Sequence, residues 1–187
     1  MPAILVVCEG KTEETLLKEL RGHWHIPSVT VKVMGQAGVP ATVVDCAVKE
    51  RKKLGKPVET WVVFDRDEHP KWEDSINRAH AQTLMLAISN PCFELWAILL
   101  HQEQTAHIGR HNAQHILAAN HPPYHHDTRP YLKLETVLAN FGDVTQRAQR
   151  LLKCAEEKDD LYGNPTTRFH DLVLRLQALG LEATTYS

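Results

Sequence analysis

The sequence predicts an α/β fold, with a parallel sheet flanked by helices and a helical C-terminal part. Short apolar runs recur along the first hundred positions, and segments of helical periodicity separate them. Strands that are apolar throughout are typical of a parallel sheet covered on both faces, since a half-exposed sheet shows alternating polarity. With 187 residues, 43% of them hydrophobic, the chain is long enough to bury such a core.

Two strand-helix repeats are expected first. Residues 4–7, ILVV, predict a buried strand, and the apolar positions that follow share one helical face. Thr12 is the expected N-cap of that helix. The second strand is VTVKVM at 29–34, and Pro40 and Gly55 suit the start and the end of the helix after it. The apolar residues expected on one face of the first helix are Leu16, Leu17, Leu20 and Trp24.

Two further strands complete the predicted sheet. TWVVF at 60–64 is apolar throughout, and a polar amphipathic segment at 71–82 separates it from LMLAIS at 84–89. The helix after the fourth strand is expected to have Pro91 in its first turn, where the missing N–H of proline costs nothing. These elements predict an α/β core over residues 1–104.

The C-terminal part, residues 105–187, is expected to be a helical extension packed on that core as a single unit. Three helical stretches end near Gly180, and NPTTRFHDL is interpreted as a helix start capped by Thr166 or Thr167. Three histidines recur every four residues and are interpreted as surface or packing positions, because Gly109 weakens their helix and no acid or cysteine completes a zinc set. They are His107, His111 and His115.

Charge and cysteine content narrow the functional classes. The formal net charge is −2, so a nucleic-acid contact must rely on a local patch or on a bound cation. The cysteines lie far apart without a C-x-x-C pair, which favours buried, reduced thiols over a zinc site or a disulfide framework. No apolar run reaches the ~18 residues of a membrane span, and no basic leader precedes the first strand. We therefore expect a cytoplasmic protein without membrane contact.

Acidic residues follow two of the predicted strands. Glu9 comes directly after the first strand, and Asp65 and Asp67 follow the third. Ligands of open parallel sheets bind beyond the carboxyl ends of the strands, and residues two apart in extended chain face one side. Three converging carboxylates repel one another unless a cation intervenes, and oxygen ligands suit Mg²⁺ or Mn²⁺. The sequence thus predicts a divalent metal site.

Four segments carry a resemblance to a known family. VVCEGKTEE, VVFDRDEH, SNPCFELWAILLH and NPTTRFHDLV, in this order, resemble the RloB-like family, whose members carry a TOPRIM catalytic domain. The resemblance implies a TOPRIM-like, Rossmannoid sheet and Mg²⁺- or Mn²⁺-dependent phosphodiester chemistry. It also implies a nuclease of anti-phage defence or abortive infection that acts beside an RloA-type ATPase. Whether the nucleic acid substrate is DNA or RNA stays open.

The same resemblance assigns roles to individual residues. Glu9, Asp65 and Asp67 match the TOPRIM acids as catalytic metal ligands, and Glu13 matches a second acid of OLD-type nucleases. Lys133 would neutralise charge in the transition state. Independently of the resemblance, Glu94 opens the helix after the fourth strand and so lies at the same sheet edge, where it is expected to join the metal shell directly or through water. The alternatives are a first-turn acid for Glu13, helix-start electrostatics for Glu94 and a solvated lysine for Lys133. The expected substrate-binding residues are Lys11, Arg66 and Asn90.

Other functions stay open at this stage. Asp65 and Asp67 after an apolar strand also resemble the haloacid-dehalogenase phosphatases, in which the first aspartate is the nucleophile. That family has its motif on the first strand, whereas here it follows the third. Another alternative is a non-catalytic, metal-binding effector subunit, and a homo-oligomer is compatible with the sequence. Cys92, before an apolar helix, is interpreted as a core thiol and not as a nucleophile.

Overall fold

One mixed sheet organises the chain. The computed structural model describes residues 3–34, 39–55, 58–66 and 71–185. The strands follow the order β2-β1-β3-β4-β5, with β1 parallel to both β2 and β3 and β5 antiparallel to β4. The predicted α/β fold class is confirmed. The strand bounds are β1 Ile4–Cys8, β2 Val29–Val33, β3 Glu59–Asp65, β4 Met85–Asn90 and β5 Thr166–Thr167.

Helices connect the first four strands and make up most of the C-terminal part. In the parts of the chain that the structure describes they are α1 Lys11–His23, α2 Pro40–Lys53, α3 Trp72–Ala81, α4 Glu94–Ile98, α5 Arg110–Asn120, α6 Leu134–Ala139, α7 Phe141–Glu157 and α8 Phe169–Thr185. Contacts divide the chain into two units. Unit 1 comprises Met1–Phe64, His69–Ala87 and Asp171–Ser187, and unit 2 comprises Asp65–Glu68 and Ile88–His170.

Unit 1 packs helices against strands that are apolar along their whole length. Val6 and Val7 of β1 are fully buried, as the continuous apolar run predicts. The buried face of α1 includes Leu16, Leu17 and Leu20, which recur at helical spacing. Each fully buried side chain of this kind contributes about 1.5–3 kcal/mol by leaving water, before the cost of ordering the chain is counted.

Unit 2 has an aromatic centre. The ring of Phe169 packs edge-to-face on Phe93 and on Trp96, with both centroid distances at 4.9 Å. All three side chains are buried. Such pairs contribute ~0.5–1.5 kcal/mol beyond burial alone. This cluster fixes α4, which begins at Glu94, against the chain that leads into α8.

Two predicted helix starts are wrong. Thr12 is not the N-cap of α1, because Gly10 holds that position in extended conformation and Thr12 lies buried in the first turn. Pro91 does not lie in the first turn of α4, since this helix begins at Glu94 with Phe93 as its N-cap. The expected ends of α2 are confirmed, with Pro40 as its first residue and Gly55 at a φ of +63° just beyond it.

The segment interpreted as wholly helical contributes an edge strand. Thr166 and Thr167 do not cap α8 from its N-cap position but form β5, in register with Asn90 and Ser89 of β4. The two hydroxyl groups of Ser89 and Thr167 lie 2.8 Å apart, and Thr167 Oγ1 also accepts the N–H of Phe169. The short β5 therefore pairs with β4 and leads into α8.

The histidine and cysteine predictions are confirmed in part. His107, His111 and His115 are all exposed, as the surface interpretation predicts, although His107 precedes α5 and only the other two lie on this helix. All four cysteines are free thiols, as predicted, and Cys8 and Cys92 are buried. The expectation of burial is wrong for Cys154, which is exposed on α7. Among the described helices, none combines the length and apolarity that a membrane crossing needs.

Candidate functional site

Glu9 lies just past the end of β1. Its backbone N–H donates to the carbonyl oxygen of Val63 at 2.9 Å, which extends the parallel ladder of β1 and β3 by one residue beyond Cys8. The side chain is half-buried. The register of β1 thus fixes the position of this carboxylate, which the sequence assigns to the metal site.

The glycine after Glu9 has a packing role. Gly10 is the N-cap of α1, and a Cβ added there would meet the Oε1 atom of Glu13 at 2.9 Å. Glu13 is buried in the first turn of the helix, with its carboxylate over Gly10. The positive end of the helix dipole stabilises an acid at this position. The E-G-x-x-E pattern therefore has a local reason, because any larger residue at position 10 would displace Glu13.

The neighbouring acid has a structural explanation. Glu14 Oε2 accepts Lys11 Nζ at 3.1 Å, and Glu14 Oε1 accepts Lys18 Nζ at 2.6 Å. Burial by itself raises the pKa of Glu14, but the hydrogen bonds from Lys18 and Lys11 outweigh it and the pKa is lowered. Lys11, predicted to bind substrate, is 71% exposed and forms this ion pair on its own helix.

Asp65 ends β3 and holds two groups of unit 2. Its Oδ1 atom accepts the backbone N–H of Phe93 at 2.9 Å, so it satisfies a donor at the start of α4. Its Oδ2 atom lies 3.0 Å from Nη2 of Arg110, the first residue of α5. The Asp65 side chain is 17% exposed and that of Arg110 is 32% exposed. The partner acid of the motif, Asp67, lies outside the described residues.

Arg66 and Asn90, two of the predicted substrate-binding residues, meet at one carbonyl group. Arg66 Nη1 and Asn90 Nδ2 both donate to the backbone oxygen of Tyr162, the latter at 2.7 Å. Two residues further on, Asn164 accepts the N–H of Ile108 and donates to its carbonyl, at 3.0 and 2.8 Å. These bonds hold the 162–164 loop and, through Ile108, the chain that leads into Arg110.

Glu94 is the first residue of α4 and is 4% exposed. Its Oε1 atom accepts the hydroxyl of Tyr124 at 2.5 Å and lies 2.8 Å from Nδ1 of His126. The thiol of Cys92 also donates to this carboxylate. Glu94 is therefore the centre of a buried hydrogen-bond network, and its predicted role as a metal ligand stays a prediction.

The network shifts the pKa values of its members in opposite directions. Burial alone raises the pKa of Glu94, but the bonds from His126, Tyr124 and Cys92 outweigh it and hold the value at about 2. The hydrogen bond to Glu94 raises the pKa of His126, against the lowering effect of burial. Burial, and next the charge of Glu94, raises the pKa of Cys92 far above its usual range, which agrees with a core thiol.

Lys133 contacts a different part of unit 2. It is the N-cap of α6, its side chain is exposed, and its backbone N–H donates to Nε2 of His121 at 3.1 Å. His121 is buried, and its ring packs at a tilt of 52° against His101, with a centroid distance of 5.6 Å. Burial lowers the pKa of His121, so the ring is a neutral acceptor for this bond. The basic side chain that pairs with Asp65 is that of Arg110.

Sequence reasoning missed Arg110, Tyr124 and His126. The latter two lie in the HPPYHHD segment at 121–127, for which Pro122 and Pro123 predict a stiff loop and the histidines leave phosphate or metal binding as the alternative. Because the loop is 30 residues from Glu94, no periodic pattern joins them. A tyrosine and a histidine two positions apart in a proline-stiffened loop were the available signal, since both can bond a buried acid.

Divalent cation binding agrees with the chemistry at Asp65. The carboxylate already compensates its charge with a cation, the guanidinium of Arg110, and its oxygens are the hard ligands that Mg²⁺ prefers. Within residues 3–34, 39–55, 58–66 and 71–185, no group of three or more His, Cys, Asp or Glu side chains is assembled that could hold a metal ion. A complete shell therefore needs other ligands, for which the sequence predicts Asp67.

The fold and the site define the class of this protein: it is an α/β protein with acids directly after β1 and at the end of β3. A model of the RloB-like protein family matches residues 4–176, so the chain belongs to this family. No curated protein and no solved structure gives a significant match.

Proposed function

We propose that the protein is a metal-dependent nuclease that hydrolyses phosphodiester bonds of DNA or RNA. The observation that carries the proposal is the position of Asp65, an acid at the carboxyl end of a central strand that holds a cationic group on its Oδ2 atom. Ligands of open sheets bind at the carboxyl ends of strands. Family membership adds support through the TOPRIM resemblance of these proteins.

In this proposal Glu9, Asp65 and Asp67 hold Mg²⁺ or Mn²⁺, with Glu13 as a further acid beside Gly10. The ion would supply Lewis-acid catalysis of phosphodiester hydrolysis. The residues of unit 2 keep the β3 end in place, because Asp65 fixes the first N–H of the α4 region and Arg66 with Asn90 fixes Tyr162. An anti-phage role beside an RloA-type ATPase belongs to the same proposal, as does a cytoplasmic location.

A cleavage assay tests the proposal. End-labelled single- and double-stranded DNA and RNA are incubated with the protein over a range of Mg²⁺ and Mn²⁺ concentrations, alone and with the neighbouring ATPase. We expect metal-dependent shortening of at least one substrate, abolished by EDTA and by Asp65→Asn. A small aryl phosphate serves as the control substrate for a haloacid-dehalogenase phosphatase. Robust monoester hydrolysis without polynucleotide cleavage would overturn the nuclease assignment in favour of that phosphatase.

A further inference from the structure

The position of Arg110 suggests that this residue has a second partner. Arg110 begins α5, directly after Gly109 in extended conformation, and its side chain reaches Asp65 while staying 32% exposed. The chain before it is pinned by the two bonds between Asn164 and Ile108. The backbone at Arg110 is thus held in place, while its guanidinium contacts Asp65 and remains accessible to solvent.

A divalent cation at Asp65 would change the surroundings of Arg110. Like charges within a few ångströms repel, and a divalent ion on the Asp65 carboxylate would oppose the guanidinium now paired with it. The Arg110 side chain has several rotatable bonds, so it can turn away from Asp65 without movement of α5. After that turn the guanidinium requires a new anion.

A phosphodiester has the chemistry that this guanidinium requires. Arginine presents donors in a planar fork that matches phosphate oxygens, and the N-terminal end of α5 adds positive potential beside it. The charge of Arg110 also acts on His126, where it opposes in part the rise in pKa that Glu94 causes. The net charge of the chain is −2, so a local cation of this kind supplies what the overall composition lacks.

We propose that Arg110 is a phosphate-binding residue of the substrate site, which pairs with Asp65 when no metal is bound and moves to a substrate phosphate when a divalent cation occupies Asp65. The proposal rests on the proposed function, since it assumes cation binding at Asp65. In this proposal each ligand raises the affinity for the other, because the metal releases Arg110 for the phosphate and the phosphate releases Asp65 for the metal. Arg110 would compete with the metal in the empty site and support the substrate in the loaded one.

Arg175 provides a matched control for this exchange. It pairs with Glu59 through Nε and Nη2, at 2.9–3.1 Å, and is 30% exposed, close to the value for Arg110. Both Arg175 and Glu59 belong to unit 1, and neither has a role in the proposed site. Arg175→Gln therefore removes the same charge from a comparable ion pair.

The experiment measures two affinities for wild type, Arg110→Gln, Arg110→Lys and Arg175→Gln. Mn²⁺ binding is followed by calorimetry on the full chain. Binding of fluorescein-labelled dT20 and U20, with phosphorothioate linkages that resist cleavage, is followed by anisotropy in Mn²⁺ and in EDTA. Circular dichroism and thermal melting check that each variant is folded.

We expect Mn²⁺ to tighten oligonucleotide binding of wild type by at least about fivefold. Arg110→Gln should bind the oligonucleotide about tenfold or more weakly in Mn²⁺, lose most of this coupling, and bind Mn²⁺ at least as tightly as wild type. Arg110→Lys should fall between the two, because it keeps the charge without the fork. Arg175→Gln should match wild type in both affinities.

Two results would overturn the assignment of Arg110. If Arg110→Gln binds the oligonucleotide as wild type does, Arg110 has no phosphate role. If Arg110→Gln loses Mn²⁺ binding together with oligonucleotide binding, the ion pair has only a structural role in keeping the site folded. Both differ from failure of the proposed function, in which wild type itself binds no Mn²⁺ and shows no coupling.

Discussion

The Nη2 atom of Arg110 lies 3.0 Å from the Oδ2 atom of Asp65, across 45 positions of sequence. This ion pair joins the end of β3 to the start of α5. It places a cationic side chain on the acid that the sequence assigns to a metal. In the proposed nuclease this pair would connect the two binding events that catalysis needs, those of a divalent cation and of a phosphate.

Replacement of Glu9 by glutamine should abolish most cleavage and leave the fold intact. The substitution keeps the volume of the side chain but removes its charge, and the backbone bond from Glu9 to Val63 does not depend on it. We expect a loss of ~10²-fold or more in cleavage rate, as for removal of a positioned acid or base. Glu14→Gln is the matched control, because Glu14 pairs only locally with Lys11 and Lys18 and should keep its activity. Equal loss in both variants would contradict the role of Glu9.

Protonation of Glu94 should destabilise the protein in acid. Its native pKa of about 2 lies below the usual value of about 4.3, so its stabilising contribution is present above that value and is lost as the pH falls toward 2. The shift corresponds to about 3 kcal/mol at most. Tyr124→Phe removes one hydrogen-bond donor and should reduce the pH dependence of the free energy of unfolding between about pH 5 and 2. Urea unfolding over this range measures the free energy of unfolding at each pH. The same pH dependence in wild type and in Tyr124→Phe would contradict the hydrogen bond from Tyr124 to Glu94.

His126 should titrate above the usual pKa of histidine, near 6.5. The main cause is the hydrogen bond from Nδ1 to the carboxylate of Glu94. Glu94→Gln removes that charge, so the pKa of His126 should fall in this variant. Nuclear magnetic resonance of the imidazole C–H groups over pH 5 to 9 measures both values. An unchanged pKa of His126 in Glu94→Gln would contradict this cause.

Truncation of the aromatic centre of unit 2 should cost more than any surface change. Phe169 is fully buried and packs on Phe93 and Trp96. Phe169→Ala should lower the free energy of unfolding by about 3–5 kcal/mol, because it loses burial and leaves a cavity. Met85→Ala, at a position that is 47% exposed, should change it by less than about 0.5 kcal/mol. Equal effects in urea unfolding would contradict the burial of Phe169.

The elements that the sequence predicts well are those with a strong local signal. β1 and β3 contain continuous apolar runs, and α2 begins at a proline and is followed, two residues after its end, by a glycine with positive φ. Local patterns failed where a partner lies far along the chain. The pair Thr166–Thr167 is too short for a periodic signal and becomes a strand only because β4 is there to bond it. Pro91 suits a helix start, but the N–H groups that need a cap begin at Phe93, and Asp65 accepts the first of them.

The same distinction applies to the candidate site. Glu9 and Asp65 are predictable because an acid directly after an apolar strand is unusual and lies at a known binding edge. Arg110 lies 45 residues from its partner Asp65, and Tyr124 and His126 lie 30 and 32 residues from Glu94, so each reaches its acid only after the chain has folded. The sequence around Glu94 predicts only the start of a helix. The burial of its carboxylate among three hydrogen-bond donors depends on the loop that contains Tyr124.

Location of a Mn²⁺ ion by anomalous diffraction, from crystals soaked in Mn²⁺, tests metal binding at Asp65 most directly. We expect an anomalous peak within about 2.0–2.6 Å of a carboxylate oxygen of Asp65, with the Arg110 guanidinium turned away from that carboxylate. Crystals of Asp65→Asn under the same conditions should lack the peak. A fully soaked wild-type crystal with no peak at Asp65, and with the 3.0 Å ion pair to Arg110 unchanged, would contradict metal binding at Asp65.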